Sequence, residues 1–127
     1  MTATGTGYHI PEPPLVPANA TIVAHSADAT LTVASFACIH TNTGAGASKA
    51  LTLPAAASAA GMSIKIQITA AWPLVLTPAT GEAIYLGGDG VADSTCTIAG
   101  VVGNYADVYC NGERYLVIDY NGVLTKS

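Results

Sequence analysis

Residues 49–76, KALTLPAAASAAGMSIKIQITAAWPLVL, carry the pattern that decides the fold class. From 62 to 69, Met62, Ile64, Ile66 and Ile68 alternate with Ser63, Lys65, Gln67 and Thr69, the period of a strand with one face in a core and the other in water. This predicts a half-buried antiparallel strand with the four apolar side chains in one inward row, packed on Leu51, Leu53 and Leu74 or Val75. Residues 49–53 also alternate, with Leu51 and Leu53 inward, until Pro54 withdraws a backbone donor and stops the strand. Residues 55–60 have the propensity for one or two helical turns, but Gly61 ends them and the run is too short to stand alone. Pro73 separates the central strand from a short one at 74–77, and Pro78 and Gly81 turn the chain again. Trp72, at that junction, reads as a lid over the core.

The flanks continue in the same style. Residues 21–23, 30–33 and 36–41 read as short strands, the last followed by the turn-rich 42–46, and 82–86 as another before the loop Gly87, Gly88, Asp89, Gly90. Asn111-Gly112 separates strands at 105–110 and 113–119, a strong local hairpin signal, and its two-residue register would set Cys110 against Glu113 and Asp107 against Leu116. Asn121-Gly122 turns 123–125 back. With short strands, Gly and Pro turns and no sustained helix, residues 20–127 predict an all-β domain, a compact antiparallel sandwich or barrel. Residues 1–19 stand apart as an extended arm: Pro11, Pro13, Pro14 and Pro17 block both helix and a full sheet ladder. Its apolar Tyr8, Ile10, Leu15 and Val16 supply contacts for a neighbouring surface.

Composition narrows the function. Charged residues are only 9% of the 127, against roughly a quarter in an ordinary soluble domain. Such a surface is expected to be covered by copies of itself or by another protein. Mean hydropathy is +0.44, yet every apolar run is interrupted long before the ~18 residues of a spanning helix. No membrane association is expected. The N-terminus has neither the basic segment nor the apolar stretch of a signal peptide, so maturation in a reducing cytosol is expected. A formal net charge of -4 offers no patch for phosphates, which argues against nucleic-acid binding.

The residues able to carry chemistry are scattered. Cys38, Cys96 and Cys110 are an odd, widely spaced set in apolar contexts, expected as reduced thiols rather than metal ligands. His9, His25 and His40 are too far apart in sequence to suggest a catalytic set. Asp89 and Asp93 lack the spacing and closing Glu of a calcium loop, and the glycines between 87 and 90 lack the Lys-Ser/Thr of a phosphate loop. Asp107, Glu113 and Asp119 would form an acid/base pair only if strand pairing brought two together. Arg114, among Tyr109, Tyr115 and Tyr120, is placed to stack or bridge at an interface. The expectation is a protein without catalytic residues, cofactor or metal, with Trp72, Arg114 and Tyr115 as interface residues.

TNTGAGASKALTLPAAASAAGMSIKIQITA at 41–70, LVLTPATGEAIYLGG at 74–88 and VVGNYADVYCNGERYLVIDYNGVLT at 101–125 together resemble a module of phage virion proteins found in capsid decoration proteins, head fibres and tail-fibre tips. The likeness lies in the order of a Thr-Asn-x-Gly turn, a TLP strand end, a Gly restarting a strand, a Pro…Gly…Ile…Leu pair and a closing hairpin at Asn-Gly. It implies a small β domain that commonly trimerises, with 41–44 as the first turn, Leu53-Pro54 as a strand end and Asn111-Gly112 as the last hairpin. A short chain with a Pro-rich arm in place of a fibre shaft points to a cement or decoration protein on the outer surface of the virion capsid, assembled in the host cytoplasm and partnered by the major capsid protein and by its own copies. The alternative is a receptor- or glycan-binding tip, for which Trp72, Tyr85, Tyr109 and Tyr115 would have to be exposed for stacking.

Overall fold

The computed structural model describes residues 21–86 and 89–127. Strands are short because the sequence breaks them often: β1 (Ile22–Ala24), β2 (Ala29–Thr30), β3 (Ile39–Thr41), β4 (Lys49–Thr52), β5 (Ser63–Gln67), β6 (Leu74–Thr77), β7 (Ile84–Leu86), β8 (Cys96–Ile98), β9 (Tyr105–Cys110), β10 (Tyr115–Asn121) and β11 (Leu124–Lys126). They form a six-stranded sheet in the order β1-β3-β5-β9-β10-β7 and a five-stranded sheet in the order β11-β8-β6-β4-β2. The all-β, two-sheet architecture is the one the alternation predicts. Single 3-10 turns at Val33–Ala37 and Ala56–Ser58 are the helical elements among the described residues.

The pairing is mixed rather than antiparallel. From β1 to β6 the chain changes sheet at every corner, so each strand returns to its sheet in its original direction. Thus β1, β3 and β5 are parallel, as are β2, β4 and β6. The chain coils in rungs, in the manner of a β-helix. The later strands then extend both sheets. β9 lies antiparallel to β5 and β10, β8 antiparallel to β6 and β11, and β7 joins the far edge parallel to β10. Alternation marks a sheet with one face in water, usually an antiparallel one, but the parallel rungs here also keep one face outside the core and so alternate as well.

One core lies between the sheets. Ile64, Ile66, Val108, Tyr115 and Val117 of the larger sheet meet Leu51, Leu74, Leu76, Cys96 and Ile98 of the smaller. Ile64, Ile66 and Ile68 are inward as the period requires, but Met62 is 39% exposed. It precedes β5, and its main chain is engaged in turning the corner, with its N–H donating to Ala59 O. Phe36 and Val33 belong to a 3-10 turn rather than to strands, and residues 82–83 precede β7. The 111–114 loop has four residues, not two: Asn111 Oδ1 accepts from the N–H groups of Glu113 (2.9 Å) and Arg114 (3.0 Å). The register therefore becomes Cys110 opposite Tyr115, with Asp107 opposite Asp119 across a bulge after Val117.

Candidate functional site

The coil has two ends. Where β1, β3 and β5 finish, the turns 25–28, 42–48, 68–73, 99–104 and 122–123 come together, and Asp28, which accepts from Ala50 N–H, is the one Lys, Arg, Asp or Glu in these turns. Asn42, fully buried, organises this end. Its Oδ1 accepts from the N–H groups of Thr69 (2.8 Å) and Ala70 (2.9 Å), and its Nδ2 donates to the carbonyls of Ala70 (3.0 Å) and Trp72 (2.9 Å). One amide thus satisfies the β5–β6 corner and fixes the backbone that presents Trp72.

Trp72 is not a lid. Its residue is 43% exposed, with Val101 at 61%, Val102 at 62% and Val123 at 64%. Two main-chain contacts hold these loops together: an added Cβ on Gly100 would lie 2.5 Å from the Trp72 carbonyl carbon, and Ala99 N–H donates to Val123 O at 3.1 Å. Hydroxyls rim the same end, with Thr43 and Thr69 Oγ1 atoms 2.6 Å apart. The patch around Trp72 is apolar and hydroxyl-rimmed, suited to burial against a neutral partner surface or stacking on a planar or ring-shaped group.

The outer face of the larger sheet holds most of the remaining predicted residues. Tyr109, Leu116 and Tyr85 form a cross-strand row on β9, β10 and β7, and the Arg114 guanidinium lies 4.8 Å from the Tyr85 ring centroid. Arg114 therefore stacks within its own chain. Tyr115 is fully buried and its hydroxyl donates to Pro54 O at 2.6 Å; it lies in the core rather than on a contact surface, because its register position points inward with Cys110. Burial pushes its phenol well above the ordinary range. Asp107 and Asp119 do face one another, unlike the register expected from a two-residue turn. Lys65 Nζ sits 3.0 Å from Asp107, and the Tyr105 hydroxyl, its acidity reduced chiefly by the Asp119 charge, donates to Asp119 at 3.4 Å. This is an ion-paired sheet surface rather than an acid/base pair in a cleft.

The other candidates are structural. Lys126 bonds Asp89 and lies 3.6 Å from Asp93, tying the C-terminal strand to the loop after β7; Asp89 is held below the usual carboxylate range by that ammonium. Cys38, Cys96 and Cys110 are free thiols, with Cys38 only partly buried. Burial, and secondarily the Asp93 charge, pushes Cys96 up to about 11. Cys110 Sγ donates to Ala56 O at 3.2 Å. Among the described residues no group of three or more His, Cys, Asp and Glu side chains is placed to hold a metal ion. Tyr8, Ile10, Leu15 and Val16 lie outside the described residues.

Two features had no usable sequence signal. His25 and His40, far apart in the chain, bring Nε2 and Nδ1 within 2.7 Å, because successive rungs stack. Asn42 read only as a turn residue. No protein-family model matches this chain, and no curated protein matches it in sequence.

Proposed function

We propose that this chain is a structural virion protein that decorates or cements a phage capsid, assembling as a homotrimer and held to the major capsid protein through its N-terminal arm. The observation that carries the reading is the apolar patch of exposed Trp72, Val101, Val102 and Val123, carried on turns that contain no charged residue. A surface of that composition is stabilised by burial, not by water, and a low-charge chain with its polar side chains engaged in turns and sheet packing suits a component of an assembly. The resemblance to phage decoration modules and the four-proline arm support the same location on the outside of the head.

The exposure of Trp72 also favours a second reading, a receptor- or glycan-binding tip, in which the indole is a stacking platform and Thr43 and Thr69 supply hydroxyls. Burial of Tyr115 removes one of the rings that reading would use. A Trp72→Ala variant separates the two when tested for occupancy on undecorated heads and for adsorption of assembled particles to host cells. Loss of self-association or head occupancy supports decoration. Full occupancy with lost adsorption supports the tip.

A further inference from the structure

We propose that the His25–His40 pair is an acid-released latch fastening β1, the edge strand of the larger sheet, to β3. The argument begins with proton positions. His40 is wholly buried and its Nε2 lies 2.8 Å from the carbonyl oxygen of Ser35. A carbonyl only accepts, so that nitrogen bears hydrogen and, in the neutral ring, Nδ1 bears a lone pair. His25 Nε2, 2.7 Å away, must then be the donor. The neutral pair is complete, running from His25 to His40 to Ser35.

Acid disrupts this arrangement. One added proton places a positive charge on residues that are 8% and 0% exposed. Two cannot be held at this separation, because both facing nitrogens would carry hydrogen. The surroundings offer no compensation: burial, and secondarily the charge on His40, hold His25 below the ordinary imidazole range. Ser35 and Thr41, whose main-chain carbonyls bond His40 and the His25 N–H, are neutral, and the Asp28 carboxylate on the following turn is engaged by Ala50 N–H at 2.9 Å. A detached β1 carries His25 with it and frees that imidazole to protonate in water.

β1 is suited to local release. It has three residues, pairs on one side only among the described residues, and leaves Ile22 64% exposed. The ladder around it includes Ile39 N–H to Thr21 O at 2.9 Å and His25 N–H to Thr41 O at 2.8 Å. Between pH 7.5 and 5, the opening equilibrium should rise about 30-fold for each proton that the closed pair refuses and the open strand accepts near its ordinary value of ~6.5. The latch stands independently of the decoration reading.

The test is amide hydrogen exchange on the full chain across this range, corrected for intrinsic rates, with His9→Gln to silence the third histidine. Protection at Ile39 and His25 should fall by about 30-fold or more, while Ile68 and Leu53, bonded to Asn104 and Thr77 in other ladders, keep theirs. Nitrogen-15 spectra at pH 7.5 should show both rings as Nε2–H tautomers. His25→Gln should flatten the pH dependence. Constant protection at Ile39 and His25, an equal loss across all strands, or an Nδ1–H tautomer on His40 would each overturn the latch.

Discussion

Asn42 shows how much one side chain can organise. Replacing it with Ala leaves the N–H groups of Thr69 and Ala70 and two carbonyls without their partner, a loss of about 2–4 kcal/mol. Asn42→Asp should also destabilise, because a carboxylate oxygen would then face the carbonyls of Ala70 and Trp72. Urea unfolding of both, against an exposed Thr43→Ala that should change stability by less than about 0.5 kcal/mol, checks this. Cys96 gives a pH prediction. Its thiol is pushed up to about 11 from an ordinary 9.0, so above pH 9 the unfolded chain loses a proton that the folded chain keeps. Stability should therefore fall as pH rises from 9 to 11, by at most about 1.4 kcal/mol per unit from this group, with Tyr115 adding to the loss at higher pH. Denaturation at pH 7, 9 and 10.5 measures it, and Cys96→Ala should flatten the lower part of the decline.

At the scale of elements, corners matter as much as strands. Gly100 packs against the backbone of Trp72 and Pro73, with no room for a Cβ at 2.5 Å. Gly100→Ala should cost about 1–3 kcal/mol and shift the emission of Trp72, the chain's single tryptophan, as the corner moves. Gly46→Ala, with nothing within 4 Å of its added Cβ, should do neither. In β5, Ile66 is fully buried, and Ile66→Ala should cost roughly 2–4 kcal/mol through lost burial and a cavity, whereas Lys65→Ala on the outer face should cost less than about 1 kcal/mol. Denaturation midpoints of the four variants give the ranking.

For the whole molecule, the apolar patch around Trp72 and the low charge of the chain make self-association the expected state. Analytical ultracentrifugation of the full chain should give a trimer at micromolar concentration. Val102→Ser combined with Trp72→Ala should shift it toward monomer while leaving the strand spectrum intact; a monomer in the unaltered protein would count against preformed assembly. Deleting residues 2–17 should leave the fold unchanged but abolish occupancy of undecorated heads. Wild-type occupancy by the truncated chain would move the anchor from the arm to the β domain.

What the sequence determined by itself was local. Alternation set Ile64, Ile66 and Ile68 inward and Lys65 and Gln67 outward, and Pro54, Gly61, Pro73 and Pro78 broke the chain into short strands, because side-chain direction and backbone donors are properties of neighbouring residues. Free cysteines were also legible from their number and spacing. Tertiary structure alone decided which strands pair. The corners at 25–28, 42–48 and 68–73 cross between sheets instead of folding back, which makes the rungs parallel, and only then do His25 and His40 meet and does Asn42 reach the next corner. Met62 and Trp72 were misplaced for a related reason: at a corner the period-two rule lapses, and exposure is set by what the next rung leaves uncovered. The hairpin register turned on a side chain, since the Asn111 amide bonds along the loop and lengthens it, carrying Asp107 from Leu116 to Asp119 and Tyr115 into the core.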